Sequence, residues 1–499
     1  MSTPNSTRQE ALNKEIQITS RVPSDRNDVV RGNEKRASSD DNPEVSDSSE
    51  VKEFKEGGYG WVVVASVLLV NAHTWGMNSA YAVFLGYYLH SNAFPGATAI
   101  DFAFVGGLSI SMSLLISPIA TTSIRVYGTR ISLLIGVVFE TIAFIGASFT
   151  TKVWHLILSQ GIAFGIGMGF LFVGSVGVVP QWFTKKRSFA NAIAASGTGF
   201  GGVCYSLGTN AMIKNIGLPW AFRILAILAF VVNGICSLLI KDRNKAVGAV
   251  HVAFRKELFT RIEYYFLLGW GFFSVLSYTI VIFSLSDYAQ QVGFSASQGS
   301  IAAACFNISQ AVGRPFIGLF SDRIGRLNMA AIGTGIAGIA ALFLWTFAGK
   351  YYAGLIIYSL FGCTAGILWA TVAPVAAEVV GLQVLPSALS IAWLVLVLPA
   401  TFAEVIGLSL RKSGVNGYLD VQMFSGVLFI AAFACAWAMR VWKLHEMDTL
   451  GLTKEQREVD VRNPDAVMIT REQSEGAASR KGKYSLASIW EATFTMQCV

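Results

Sequence analysis

Long apolar segments separated by short polar stretches cover most of this 499-residue chain. A helix of about 20 residues crosses the apolar part of a bilayer, which is about 30 Å thick. Segments of that length recur from Gly58 onward, so the pattern predicts an all-α membrane protein with twelve transmembrane helices. The predicted spans are 58–84, 99–122, 131–150, 154–181, 189–211, 219–240, 264–287, 298–320, 328–348, 353–379, 387–410 and 421–442.

A polar stretch with six Lys/Arg separates the sixth span from the seventh. Pro118 and Gly128, near the end of the second span, recur as Pro315 and Gly325 near the end of the eighth, both 197 residues later. Two six-helix halves are typical of carriers that rock about a site at the bilayer midplane. The predicted domains are an N-terminal tail 1–56, a first half 57–240, a central loop 241–263, a second half 264–442 and a C-terminal tail 443–499.

The composition agrees with a membrane protein, since 53% of the residues are apolar and only 14% are charged. Soluble domains average about 25% charged residues. The two tails are polar and Ser-rich, and we expect them to be disordered in the cytoplasm. The net charge of +7 is spread over loops, so we expect a lipid bilayer as the surroundings and no nucleic-acid partner.

Loop charges predict the orientation, because Lys and Arg collect on the cytoplasmic side. The loops at 125–130, 185–187, 241–261 and 323–326 carry 13 Lys/Arg, against five on the opposite side. Both termini are therefore predicted to be cytoplasmic. The plasma membrane is the default location, the vacuolar membrane is an alternative, and the sequence leaves the oligomeric state open.

Motifs for other chemistry are missing from the sequence. It has no Gly-x-x-x-x-Gly-Lys-Ser/Thr phosphate loop, no His-Glu-x-x-His, no Gly-x-Ser-x-Gly and no Cys-x-x-Cys. We therefore expect no catalytic residues, no metal, no cofactor and no enzyme activity.

Ionisable side chains inside spans are informative, because each costs about 2.5–3.5 kcal/mol at a helix centre on insertion scales. Arg314 lies near one helical face with Asn307 and Gln310, which predicts a polar strip facing a cavity. A guanidinium matches a carboxylate, so Arg314 is predicted to contact an anionic substrate. In the first span, Asn78 and Ser79 are added as candidate substrate contacts.

Three further residues are candidates for proton coupling. Glu404 in span eleven is the strongest of them, as a proton carrier or as a partner for an arginine. Glu140 lies mid-span and has pairing with a neighbouring helix as its alternative. His73 has the simpler alternative of an interhelical hydrogen bond. Protons are therefore a candidate second partner besides a small-molecule substrate.

A motif at the end of span eight suggests a latch that holds one conformational state on the cytoplasmic side. Its glycines allow close approach, its aspartate can cap the next helix, and its arginines are expected at the headgroup boundary. The predicted latch residues are Gly318, Asp322, Arg323, Gly325 and Arg326. A plain basic inside loop is the alternative.

The first span is also rich in aromatic residues, and most such residues pack or anchor at interfaces. A subset can stack on a planar ligand, but the sequence does not single it out. The aromatic residues concerned are Trp75, Tyr81, Phe84, Tyr87 and Tyr88.

Three passages resemble the monocarboxylate transporter family of the major facilitator superfamily, in its fungal branch. They are the acidic-Gly-Gly-aromatic-Gly-Trp segment 56–61, the aromatic and basic run 182–190 that leads to Gly197, and Arg314-Pro315. The resemblance implies a transporter that moves a solute by alternating access.

Two departures from the animal proton-lactate carriers limit what the resemblance implies. Gln310 occupies the position of an aspartate, and Ser79 aligns with a lysine. These changes argue against proton-coupled lactate or pyruvate transport, and similar fungal proteins carry riboflavin or export secondary metabolites. The sequence predicts a secondary active or facilitative carrier of an organic anion or secondary metabolite, by uptake or efflux. The alternatives are a riboflavin-type importer and a non-transporting nutrient sensor, with a membrane enzyme least supported.

Overall fold

The computed structural model describes residues 57–91, 94–412, 414 and 416–449. The predicted N-terminal tail and residues 450–499 of the predicted C-terminal tail lie outside them. Every regular element in the described part is helical. The first half contains α1 (Tyr59–Tyr88), α2 (Ala99–Leu115 and Ser117–Tyr127), α3 (Thr129–Ala147), α4 (Val153–Gln181), α5 (Arg187–Ile216) and α6 (Leu218–Leu239).

The second half repeats this order after the central loop, which holds a short 3-10 helix at Lys256–Thr260. Its helices are α7 (Ile262–Gln291), α8 (Ala296–Ile324), α9 (Arg326–Ala348), α10 (Tyr352–Val380), α11 (Leu385–Leu410) and α12 (Leu419–Thr449). The all-α fold expected from the sequence is confirmed, and α12 runs seven residues beyond its predicted end at 442.

Breaks in several helices lie deep in the bundle. The helix α2 bends by 44° at Ile116, because Pro118 offers no N–H and its ring displaces the carbonyl of Leu114. The helix α1 is interrupted at Thr74, whose hydroxyl donates to the Val70 carbonyl at 2.7 Å. Irregular backbone at this depth is tolerated where protein covers it.

Ten segments of the described chain are long and apolar enough to cross a membrane, if the bent α2 pair counts as one. The helices α5 and α8 occupy the other two predicted spans and are 30 and 29 residues long. They are less apolar because they are rich in Gly, Ser and Asn. These two helices pack against each other, so much of their surface faces protein instead of lipid.

The two halves meet along α5 with α8 and along α2 with α11. We call the face of the bundle that carries Tyr59 and the end of α12 the tail side, and the opposite face the far side. The Tyr59 hydroxyl donates to the Leu239 carbonyl at 2.8 Å, which joins the ends of α1 and α6 there. The tail side is the face that the loop charges predict to be cytoplasmic.

Within the first half, α5 touches α1 almost backbone to backbone. A Cβ on Gly197 would collide with the Leu68 carbonyl oxygen, and one on Gly201 would come within 2.7 Å of the Ala72 Cα. Only glycine permits this approach. The glycines thereby fix the position of α5, which supplies the first half's share of the site described below.

Replacing Gly197 with alanine is expected to lower the midpoint of thermal unfolding of the detergent-purified protein. Overpacking against backbone that cannot move costs about 1–3 kcal/mol. Gly208→Ala is the matched control on the same helix, since nothing lies within 4 Å of its added Cβ. The control should be neutral or stabilising, and equal midpoints for the two variants would contradict the close α1–α5 contact.

Candidate functional site

The contact between α5 and α8 is as tight as that between α5 and α1. A Cβ on Gly318 would lie 2.6 Å from the Ser188 carbonyl oxygen, and one on Gly199 would lie 2.9 Å from the Asn307 carbonyl oxygen. The two glycines come from opposite halves and lie at different heights along the contact. Residues between them are therefore held directly against the partner helix.

Arg314 lies in this contact and is only 3% exposed. Its Nη1 donates to the Ala195 carbonyl oxygen at 2.8 Å and to the Thr198 hydroxyl at 2.5 Å, both on α5. Its Nη2 donates to Gln310 Oε1 at 2.6 Å, one turn away on α8. Acceptors from both halves therefore surround a guanidinium of the second half.

These acceptors are neutral, so they leave the charge of Arg314 uncompensated. No carboxylate in the described part of the chain lies within ion-pair distance of its nitrogen atoms, and its Nε donates to no described acceptor. A buried charge is costly unless it is paired. The arrangement therefore favours an anion beside this side chain.

Gln310 connects Arg314 to the second-half helices α7 and α10. Its Oε1 also accepts a hydrogen bond from the Tyr278 hydroxyl at 3.1 Å. Gly366 faces this pair, because a Cβ there would lie 3.3 Å from Arg314 Nη2 and would collide with Gln310 Oε1. The missing side chain leaves room for the Gln310 amide beside the guanidinium.

The other predicted substrate contacts lie on neighbouring surfaces. Asn307 donates to the Ala303 carbonyl of its own helix at 3.2 Å, and Asn78 accepts from the Ser109 hydroxyl at 2.7 Å. Ser79 is exposed and lies 3.2 Å from the Cβ position of Gly202, one helical turn beyond Thr198 on α5. The structure thus brings Arg314 and Gln310 into direct contact and places Ser79 about one turn away.

The three proton-coupling candidates lie in separate places. Glu140 is buried in the first half and accepts from Asn233 Nδ2 at 2.7 Å. His73 Nδ1 lies 2.9 Å from the Leu69 carbonyl oxygen, and its ring meets the Tyr205 ring edge to face. Glu404 is half-buried on α11, in the second half.

Glu404 lies on α11, the helix of the second half that packs against α2 of the first half. No hydrogen bond or ion pair joins the candidates to Arg314 in the described chain. A protonation change at Glu140 or His73 would act inside the first half, whereas one at Glu404 acts where the halves face each other.

The expectation that Asp322 caps the next helix is wrong. Its two carboxylate oxygens accept from the Ser188 and Phe189 amides, at 2.9 and 2.8 Å, at the beginning of α5 in the other half. Amides in the first turn of a helix lack intrahelical partners and carry a partial positive charge. The carboxylate of α8 thus caps α5 across the interface, and no side chain caps the beginning of α9.

The two arginines of the predicted latch have different surroundings. Arg326 is 3% exposed and donates to the Thr184 carbonyl at 2.8 Å, so it packs inside the protein. It lies 3.6 Å from Asp322 and 3.9 Å from the buried Glu378 of α10. Arg323 is exposed at the end of α8, and Gly325 ends that helix with a φ of 110°.

The first half lacks the counterpart of Asp322. The 197-residue offset relates Asp322 to Arg125, and it relates Ser188, at the beginning of α5, to Leu385, at the beginning of α11. No acid is therefore available at position 125 to cap α11. The two junctions between the halves differ in chemistry although their helices are arranged alike.

The central loop occupies this second junction. The Val250 amide donates to the Gln383 carbonyl at 2.9 Å, and the Ser387 hydroxyl donates to the Val250 carbonyl at 3.3 Å. At its other end, Asn244 Oδ1 accepts from Gln181 Nε2 of α4 at 2.9 Å. The loop therefore ties the first half to the beginning of α11.

A cavity of about 30 Å³ lies beside the loop, between Thr121, Asn244, His251 and Trp393. It has room for about one water molecule and none for a larger solute. Burial lowers the pKa of the His251 imidazole, and the Asp242 carboxylate partly opposes this shift. The tail side is thus closed to solutes at this point.

Sequence reasoning missed several of these residues. Glu378 is a carboxylate inside predicted span ten, so the same search for ionisable residues in spans could have found it. No local sequence pattern predicts the contacts of Asn244 and Val250, because the hydrogen bonds of an irregular loop depend on the packed tertiary structure.

Known proteins support the assignment of the fold and its class. The sequence-family model that describes the Major Facilitator Superfamily matches residues 63–266 and 266–494 of this chain. The chain is 30% identical over 395 residues to the probable transporter MCH2 of Saccharomyces cerevisiae, covering 78% of this chain and 84% of that protein. It is 33% identical over 408 residues to the uncharacterized transporter ESBP6 of the same yeast, covering 78% of this chain and 60% of the relative.

A more distant relative is the fujikurins efflux protein of Gibberella fujikuroi, 25% identical over 84% of this chain and 92% of that one. Among solved structures, the proton:xylose symporter XylE is similar with a TM-score of 0.62 at 12% identity, over 76% of this chain and 95% of that chain. The Escherichia coli fucose:proton symporter FucP is similar with a TM-score of 0.60 at 14% identity, over 76% of this chain and 99% of that chain. The chain is a multi-pass membrane protein that belongs to the Major Facilitator Superfamily of small-solute transporters.

Proposed function

We propose that this transporter carries a small organic anion by alternating access between its two halves. The observation that carries the proposal is the buried guanidinium of Arg314, which has no described carboxylate partner and is surrounded by neutral acceptors. An anionic cargo would supply the missing charge and accept from the free Nε. The resemblance to monocarboxylate transporters at Arg314-Pro315 supports the same conclusion.

The described contacts suggest which side of the carrier is closed. The hydrogen bonds between the halves made by Asp322, Arg326 and Ser117 all lie toward the tail side. We therefore interpret the conformation as closed on the tail side. On the charge-based orientation, the tail side is cytoplasmic.

The relatives favour a carrier over a non-transporting sensor. The names of MCH2 and ESBP6 describe transporters, and that of the fujikurins protein describes efflux. The cargo is accordingly an organic acid of metabolic origin, moved in the direction that its own gradient or a coupled proton gradient sets. A riboflavin-type importer would carry a larger, uncharged ring system and would not need Arg314.

Arg314→Gln is expected to reduce uptake of labelled organic acids into proteoliposomes by about 10- to 100-fold. The variant loses charged hydrogen bonds worth about 1.5–3 kcal/mol. Arg314→Lys should retain part of the activity, because it keeps the charge but not the planar fork. Arg223→Gln is the matched control, since Arg223 lies over the Trp220 and Phe149 rings, away from the α5–α8 contact.

Two results of this experiment would contradict the proposal. Transport of a neutral compound that is unchanged in Arg314→Gln would refute the anion site while leaving a carrier. Absence of transport for acids and neutral compounds alike, in both directions, would favour the sensor.

We further propose that Asp322 and Arg326 form a latch that stabilises the closed tail side. Asp322→Asn should shift the population toward an open tail side by roughly tenfold, because the asparagine oxygen carries no charge and accepts from only one of the two α5 amides. The measurement is the distance distribution between spin labels at Lys185→Cys and Ile324→Cys, which flank the latch and are exposed, on a cysteine-free background.

Asp420→Asn is the control for this measurement, because Asp420 pairs with Lys412 at the far side. Longer label distances are expected only in Asp322→Asn. If both variants kept the parent distribution, the Asp322 contact would be a cap without a latching role.

Glu404 is the carboxylate that we propose for proton coupling. Glu404→Gln is expected to abolish the effect of an imposed proton gradient on uptake and to leave exchange of cargo at equal pH intact. The exposed Glu257, paired with Arg255 in the central loop, provides the control Glu257→Gln. Retained coupling in Glu404→Gln together with its loss in Glu140→Gln would move the proton site into the first half.

A further inference from the structure

Five aromatic rings from five helices meet between the two halves, next to the Gln310–Arg314 pair. The Trp75 and Trp369 ring centroids are 5.6 Å apart across the interface, and those of Phe172 and Trp393 are 4.9 Å apart. The set, which we call the aromatic box, consists of Trp75, Phe172, Tyr278, Trp369 and Trp393.

The rings of the aromatic box differ in accessibility. Trp393 is 0% exposed and Phe172 is 7% exposed, so these two rings form a floor. Trp75, Trp369 and Tyr278 are half-buried. The ring of Trp369 lies next to both of the other rings, at centroid distances of 5.6 Å from Trp75 and 6.5 Å from Tyr278. The box therefore has a packed base and three rings with partly free surfaces at the middle of the bundle.

Two indole N–H groups of the box have no described acceptor, namely Trp75 Nε1 and Trp393 Nε1. Buried tryptophans usually find an acceptor. The chain satisfies this rule at Trp270, which donates to the Thr334 hydroxyl at 3.1 Å, and at Trp182, which donates to the Lys241 carbonyl at 2.8 Å, whereas Trp345 Nε1, outside the box, also has no described acceptor. Both N–H groups of the box are buried in this conformation, so they become donors for a cargo only where the rings around them move apart.

Tyr278 links the box to the buried cation. Its ring lies 6.5 Å from that of Trp369, and its hydroxyl donates to Gln310, which in turn accepts from Arg314. Gln310 Oε1 lies 3.1 Å from the Tyr278 hydroxyl and 2.6 Å from Arg314 Nη2, so a single amide oxygen separates this tyrosine from the guanidinium. A cargo bound at the guanidinium therefore lies close to the rings of the box.

We infer that the cargo is an acid with a planar aromatic or conjugated body, which stacks in the aromatic box while its carboxylate binds Arg314. This inference rests on the proposed anion transport and adds the substrate class. Offset or edge-on ring contacts strengthen binding beyond the apolar area that they bury. A three-carbon acid bound at Arg314 has no ring to stack, so it gains nothing from the aromatic box.

The aromatic box contains rings of both halves, so binding of a cargo there affects the relative position of the halves. Trp75 and Phe172 belong to the first half, whereas Tyr278, Trp369 and Trp393 belong to the second. A planar cargo that packs against both Trp75 and Trp369 contacts both halves at once. The contact can therefore form fully in only one relative position of the halves, and a flat body positions them more strictly than a small acid does.

The test measures half-saturating concentrations for uptake into proteoliposomes with four probes. Trans-cinnamate is planar and charged, cyclohexanecarboxylate is charged but not planar, lactate is short, and cinnamamide is planar and neutral. The unmodified protein should favour cinnamate over the two other acids by at least about tenfold, an effect of the size that ring stacking provides.

Variants of Trp369 test whether this ring causes the preference for cinnamate over the other acids. Trp369→Leu should raise the half-saturating concentration for cinnamate about tenfold without changing that for lactate, and Trp369→Phe should restore most of the difference. Trp154→Leu is the matched control, because Trp154 is 55% exposed on the far-side surface of α4. Recovery in Trp369→Phe also shows that the leucine variant's defect is not a failure to fold.

The outcomes separate the substrate class from the proposed function. Equal affinity for cinnamate and cyclohexanecarboxylate, with uptake still lost in Arg314→Gln, would overturn the aromatic box and keep the anion site. Uptake of cinnamamide equal to that of cinnamate and sensitive to Trp369→Leu would support the box and overturn the anion site. Unchanged cinnamate affinity in Trp369→Leu would overturn the inference directly.

Discussion

The structure depends on keeping the charged Arg314 between two helices that touch along their backbones. The charge is buried, so the guanidinium must donate hydrogen bonds to whatever lies opposite, and here that is the carbonyl of Ala195 and the hydroxyl of Thr198. Such acceptors come within reach only because Gly199 and Gly318 remove side chains from the contact. The small and polar residues that make α5 and α8 poor lipid-facing helices are thus the ones that create the site.

The two junctions on the tail side hold the halves by different means. At α5 the carboxylate of Asp322 accepts from two helix-terminal amides, which is a short, charge-assisted contact. At α11 the repeat supplies Arg125 instead, and neutral hydrogen bonds of the central loop around Val250 take over. Opening the tail side must therefore break one charged cap and release one loop. Changes in the loop can thus tune the closed state without altering the cargo site.

The sequence predicted the fold well because apolar length and the 197-residue repeat are properties of the chain itself. It also predicted that Arg314 and Gln310 are neighbours, since a charge inside a span is conspicuous and their spacing places them on one helical face. It assigned Asp322 to the wrong helix, because spacing reveals only neighbours along the chain and not the amides of α5. The aromatic box was beyond reach for the same reason, as Trp75 was one of many aromatic residues and its partners lie about 100 to 320 residues away.

The hydrogen bonds of Arg314 relate cargo binding to the change of conformation. Two of its three acceptors belong to α5, so separating α5 from α8 removes them and leaves only Gln310. On the proposed mechanism, an empty carrier would expose an unsatisfied buried cation during this step, whereas a carrier with a bound carboxylate would not. An anion that lowers this barrier promotes its own passage, which is the property that distinguishes a carrier from a receptor that only binds.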